Sequence, residues 1–243
     1  MSAGRLGRYA GWQLRDFLID RGIAVLLIGV LLGYTAIEPM RLALGPGWNH
    51  NPAFPISMLL GTIVSPVVTL AVFISLNGMI SNDRKMGYFR FLFAKPIRPI
   101  HYYAQLFAVH FVGMLITVVL LTSLFRLVVG PVPFPSVALY TLIMYIAMGG
   151  IGFFVSASTR YDWLVLATIW IGSRILRGLY QKAPDFRSKL VQLLPPVHKI
   201  DGVANNLLAG NPADQTDMLW LVSYGGLFFV LGLVVIYRRS MVD

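Results

Sequence analysis

Six apolar stretches, divided by short polar or proline- and glycine-rich connections, set the pattern of the chain. They run Gly22–Ile37, Ile56–Ile80, Tyr103–Phe125, Val137–Ala157, Trp163–Leu179 and Leu219–Tyr237. A helix that crosses a bilayer needs roughly 20 apolar residues, because each adds 1.5 Å to a path of about 30 Å. The second, third, fourth and sixth stretches meet that need. The first is short unless it continues past Glu38, and Arg174 and Arg177 interrupt the fifth. The expected fold is an all-α membrane protein with six transmembrane helices over residues 22–243, preceded by an amphipathic helix within residues 1–21. In that leader Leu6, Ala10, Leu14, Phe17 and Leu18 share one helical face, and Arg5, Arg8, Arg15, Asp16 and Asp20 take the other. Trp12 falls toward the polar side. Such a helix is expected to lie flat at the membrane surface before the first span. Its arginines are spread along the leader and no Ala-x-Ala site follows the first apolar run, so it does not read as a cleaved signal.

Composition removes the soluble alternative. Of 243 residues, 57% are hydrophobic and 12% charged, with mean hydropathy +0.71. Soluble domains average about 45–50% apolar and about 25% charged. A soluble fold of this length could not bury so much apolar surface, and lipid must cover the rest. The net charge of +10 belongs to basic residues clustered between the apolar runs, which leaves no basic, aromatic-interleaved surface for nucleic acid. Cysteine is absent, which excludes disulfides, thiolate metal sites and cysteine nucleophiles.

The same basic residues predict orientation. With a cytoplasmic N-terminus, Arg5, Arg8, Arg15, Arg21, Arg84, Lys85, Arg90, Lys95, Arg98, Arg160, Arg238 and Arg239 fall inside. The short outer loops carry Arg41 and Arg126, and the long outer segment 180–217 counts less under this rule. Six crossings return the C-terminus to the cytoplasm. The expected place is the cytoplasmic (inner) membrane.

The most informative segment is the inner connection 81–103, SNDRKMGYFRFLFAKPIRPIHYY. It mixes basic residues with Met86, Tyr88, Phe89, Phe91, Leu92 and Phe93. Drawn as a helix, Met86, Phe89 and Phe93 line one face, while Tyr88, Phe91 and Leu92 line another. One apolar face would satisfy docking to lipid or to the chain's own bundle; two predict a helix pressed between the membrane domain and another protein. Pro96 and Pro99 stop it.

Other candidates are Arg174 and Arg177, one turn apart on a shared face of the fifth stretch. They are expected either to snorkel to lipid phosphate or to line a path for an anionic substrate. His101 and His110 lack the spacing and carboxylate company of a metal site, and His198 reads as an exposed histidine. Ser156, Ser158 and Asp162 have no histidine with which to form a hydrolytic triad. Pro66 is expected to kink the second span. Gly149, Gly150 and Gly152 are expected to allow close approach of a partner helix, from this chain or another copy.

The connection resembles the first cytoplasmic loop of type-2 ABC-transporter permeases. Asp83-Arg84, Gly87, the patch Phe89–Phe93 and Pro96-Ile97-Arg98 carry the likeness. The amphipathic leader, the six spans and Leu194-Pro195-Pro196 before the last span are similar in layout. The resemblance implies that Asp83–Arg98 forms a coupling helix seated on a separate ABC ATPase subunit. Asp83, Arg84, Gly87, Phe89, Phe91, Leu92, Lys95, Pro96 and Arg98 would form that interface. It also implies a second permease copy, identical or related. ATP and magnesium would be bound by the partner, because this chain has no G-x-x-x-x-G-K-[ST] loop and is expected to be neither an enzyme nor a cofactor carrier. Two alternatives are a membrane scaffold or assembly protein and an intramembrane lipid-modifying enzyme.

Overall fold

The computed structural model describes residues 3–45, 56–87, 98–159, 161–180 and 194–239, together with 186, 189 and 191. Every regular element among them is helical. The chain begins with α1 (Ala3–Phe17), passes through a π turn at Leu18–Gly22 and continues as α2 (Ile23–Leu44). Then follow α3 (Ile56–Leu76), the short α4 (Ser81–Lys85), α5 (Pro99–Val129), α6 (Phe134–Ser158), α7 (Asp162–Tyr180), α8 (Val197–Leu208) and α9 (Gln215–Arg239). Five helices among the described residues are long and apolar enough to cross a membrane: Gly7–Pro39, Gly61–Lys85, Pro99–Val129, Phe134–Ser158 and Gln215–Arg238. The chain is a multi-pass helical membrane protein. The fifth apolar stretch, α7, is not among the five because Asp162, Arg174 and Arg177 dilute it.

The leader departs from expectation. Backbone at Phe17 and at Ile23, on either side of the π turn, stays in the right-handed helical region, so α1 and α2 form one rod. The rod lies along α5 and runs in the same direction. Gln13 meets Gln105, Phe17 meets His110 and Gly113, Gly22 faces Thr117, Gly29 faces Leu121 and Gly33 faces Phe125. Both helices advance by the same number of residues between the first contact and the last, so they remain side by side. Of the apolar face read in the leader, Phe17 is buried against α5 and Leu18 packs into the same core.

Close packing of α6 on α9 makes the most extensive helix pair among the described residues. A Cβ built on Gly150 would lie 1.9 Å from the Gly225 carbonyl oxygen, and one on Gly225 would lie 2.1 Å from that of Ile146. Gly232 faces Phe153 and Phe154, so the two helices run parallel. The expected use of glycines on the fourth span is thus met within the chain: Gly150 meets α9, Gly149 meets Phe107 of α5, and Gly152 meets Leu76 of α3. Around this seam Phe107 packs on Tyr145 (4.7 Å between ring centres) and on Phe229 (4.7 Å), and Phe153 packs on Phe229 (4.8 Å).

Helix α3 also runs parallel to α6. Ser65 Oγ lies 3.1 Å from the Tyr140 hydroxyl near one end, and the Ile80 amide reaches Ser156 Oγ near the other. Pro66 sits inside α3, where the Thr69 hydroxyl donates to the Ser65 carbonyl at 2.8 Å. From the Gly78–Ser81 end of the bundle, α7 runs to the opposite end, where α8 packs near Gly61 and Tyr140. Exposed aromatic residues mark the two ends. Tyr9, Trp12, Tyr161, Trp163 and Tyr237 stand at one and Tyr34 and Trp220 at the other. Trp12 and Tyr34 are about 33 Å apart along the rod, the separation of the two interfacial belts of a bilayer.

Candidate functional site

Expectations for the inner connection meet the structure at its two ends. Asp83 and Arg84 lie on α4 and are half-buried, while Gly87 and Arg98 are exposed. The Tyr103 hydroxyl, on a fully buried ring, donates to Asp83 Oδ2 at 3.2 Å. The helix drawn from Asp83 onward stops at Lys85. Gly87 (φ +71°) takes the left-handed conformation that closes many helices, and its amide donates to the Arg84 carbonyl at 3.2 Å. Phe89, Phe91, Leu92, Lys95 and Pro96 lie outside the described residues. Pro99 opens α5 after an extended Arg98, so its missing N–H costs no helical bond.

The turn that leads into this connection, residues 75–81, is held by side chains from four other elements. Helix α3 ends at Leu76 and leaves its last carbonyls without helical donors. The Ser75 carbonyl accepts His110 Nδ1–H at 2.8 Å, from α5. It also accepts a short hydrogen bond from Arg21 Nη1, at the π turn. Nδ1 of His110 must carry the proton to donate here. Arg21 Nη1, 3.3 Å from Nδ1, is therefore a second donor converging on the same oxygen. Two donors, one formally charged, complete the C-terminus of α3, where the helix dipole favours positive charge.

The other side of the turn meets the α6–α7 corner. Asp162, the first residue of α7, is 4% exposed. Its Oδ2 accepts the Gly78 amide at 2.8 Å, the Ser81 hydroxyl at 2.9 Å and the Ser156 hydroxyl at 3.0 Å. Its Oδ1 accepts the Trp163 amide at 3.0 Å. Ser156 Oγ in turn accepts the amides of Ile80 (3.1 Å) and Ser81 (3.3 Å). A buried carboxylate is costly unless hydrogen-bonded, and this one is met by four donors at the positive end of a helix. Gly78 (φ +71°) takes a left-handed conformation that residues with a Cβ rarely adopt. A small apolar cavity beside Asp162, of about 70 Å³, is lined by Phe73, Leu76, Trp163 and Leu166.

At the opposite end, Arg174 and Arg177 meet α8. Arg174 Nη2 donates to both carboxylate oxygens of Asp201, at 2.7 and 2.9 Å, and its guanidinium lies 5.1 Å from the Trp170 ring centre. Arg177 donates to His198 Nε2 (3.3 Å) and to the Val191 carbonyl (3.2 Å). Lys199 pairs with Asp217 at the start of α9. Arg174 is thus matched by a carboxylate, whereas the described partners of Arg177 are neutral. Burial raises the Asp201 carboxyl above its usual range, with Arg174 opposing. Burial and the Arg177 cation hold His198 below the usual histidine value, and Lys199 adds to this while Asp217 opposes.

His101 and His110 do not come together as a pair, and the described residues contain no cluster of three His, Asp or Glu side chains able to hold a metal. Sequence reading set aside Ser156 and Asp162 once a triad was excluded, yet they hold the turn. The one sequence signal was weak: an aspartate a few residues after a span is placed to cap the next helix. Arg21, just before the first apolar run, bears on orientation in the sequence, and only the fold shows that it also meets the Ser75 carbonyl. No family model matches the chain, and no characterised protein or solved structure is significantly similar to it.

Proposed function

We propose that this chain is the membrane-spanning subunit of an ATP-driven exporter. In this reading the connection 81–103 docks a separate ABC ATPase, and the chain works with a second permease copy. Helix α7 makes the sixth crossing and both termini are cytoplasmic. The observation that carries the reading is the mounting of that connection. Its entry turn is fastened to the α1–α2 rod, α5, α6 and α7 at once, as a loop must be if a soluble motor is to move a membrane bundle through it. The basic residues Arg84, Lys85 and Arg98 around it suit a polar rim for a protein contact. ATP and magnesium belong to the partner.

The parallel course of α6 and α9 supports a sixth crossing, because two consecutive apolar spans can run parallel only if the chain returns between them. The charges of α7 pair with α8 at the outer end. An anionic substrate arriving there would meet Arg177, whose described partners are neutral, more readily than Arg174. A scaffold without transport is the second reading; the tight fastening of the turn would then serve folding alone.

The test is purification of the full chain from its native membrane. An associated ATPase is expected, with its association weakened at least tenfold by Phe89→Ala with Phe91→Ala, and also by Arg84→Ala. Complex formation that ignores these substitutions defeats the docking reading and favours the scaffold.

A further inference from the structure

Asp162 binds two segments far apart in sequence that serve different ends of the machine. Through Gly78 and Ser81 it holds the turn feeding the 82–98 connection, and it stands at the head of α7, the helix that carries Arg174 and Arg177. Ser156 repeats the grip from α6 by accepting the Ile80 and Ser81 amides. Asp162 Oδ2 receives three donors and Ser156 Oγ two, so the turn cannot shift against the α6–α7 corner without leaving buried polar groups unpaired. On the far side, Arg21 and His110 share a single carbonyl and no carboxylate. That contact has fewer bonds to break.

We infer that Asp162 is the positioning residue that passes movement of the 82–98 connection to α7. The turn and the α6–α7 corner travel as one body, and displacement is taken up on the side of Arg21 and His110. The inference rests on the docking reading above and adds the route: motor, connection, Asp162, α7, and the charged outer end formed with α8. A purely structural Asp162 would stabilise the fold without carrying a signal.

The experiment follows amide exchange in the full chain, in lipid nanodiscs, alone and with its co-purified ATPase. In the chain alone, Asp162→Asn is expected to speed exchange at residues 78–85 by about tenfold or more. In the wild-type complex, a non-hydrolysable ATP analogue is expected to alter exchange both in the 82–98 connection and in α7. In the Asp162→Asn complex the connection still responds, while the α7 response falls at least fivefold. Because the chain has no native cysteine, Ser81→Cys with Asp162→Cys supplies one new disulfide and a rescue. The oxidised form should restore the α7 response and the reduced form should lack it. It also answers should the asparagine variant not fold. An α7 response unchanged in Asp162→Asn, or one no different between oxidised and reduced pairs, overturns the inference. Absence of any ATPase from the wild-type preparation overturns the docking reading and the transmission role with it, and a loss of protection at residues 78–85 would then be structural alone.

Discussion

Arg21 and His110 share one acceptor, and this defines how their loss should combine. Either can satisfy the Ser75 carbonyl when the other is gone. Arg21→Ala and His110→Ala should each cost about 1 kcal/mol, while the pair, which leaves the carbonyl buried without a donor, should exceed their sum by about 1 kcal/mol. Thermal unfolding of the four proteins in detergent closes that cycle, and strict additivity would mean that the two donors act separately. His198 titrates at the outer end. Its folded value lies below the ordinary 6.5, so the neutral form contributes fully above that pH. Stability at the α7–α8 contact is lost as pH falls from 6.5 toward the depressed value, because Arg177 and Lys199 resist a further positive charge there. Fluorescence of Trp170, beside Arg174, should report the loosening on acidification, and His198→Gln should flatten that response. Such single residues were the least legible from sequence. Asp162 and Ser156 are ordinary polar residues until the fold brings the turn of Gly78 against them.

Helices were far more legible than their joints. The apolar runs Tyr103–Phe125, Val137–Ala157 and Leu219–Tyr237 fall within long helices and Ile56–Ile80 contains the whole of α3, because backbone in hydrocarbon must satisfy its own hydrogen bonds. What covers the leader was not legible for a physical reason. Its apolar face identifies a surface to be covered, but periodicity does not say whether lipid or α5 covers it. Gly113, which admits the Phe17 ring, decides the matter from another part of the chain. At Gly87 a left-handed residue ends α4, so a helix drawn from Asp83 is interrupted there, and residues 88–97 lie outside the described residues. Glycine also governs the α6–α9 seam. Gly150→Leu or Gly225→Leu would drive a side chain into backbone that cannot yield, at a cost of about 3 kcal/mol or more in this close packing. Gly172→Leu, with open space around it, should change stability by about 0.5 kcal/mol or less. Equal effects at the two kinds of site would contradict the parallel seam.

The path of the whole molecule makes a prediction about sidedness. If α7 crosses, the turn after α8 lies opposite both termini. Single cysteines are then diagnostic in this cysteine-free chain. Asn211→Cys should react in intact cells with a maleimide that cannot cross the membrane, whereas Arg8→Cys and Tyr237→Cys should react only after permeabilisation. Labelling of Asn211→Cys and Arg8→Cys from the same side would remove the sixth crossing. The arginines that dilute α7 are those that α8 receives through Asp201 and His198, so composition undercounts a helix whose polarity is met by its neighbour.

The position of Arg21 also constrains how the protein can be made. It lies about 13 Å along the rod from Trp12, on the apolar segment that precedes α3. Its acceptor, Ser75, belongs to the next long helix, and the histidine that shares this acceptor belongs to the one after. Until Ser75 has been synthesised, that segment would carry an arginine without this acceptor, and an arginine in the membrane is costly unless paired. The opening helix should therefore wait beside the insertion machinery and enter the bilayer together with α3, rather than ahead of it.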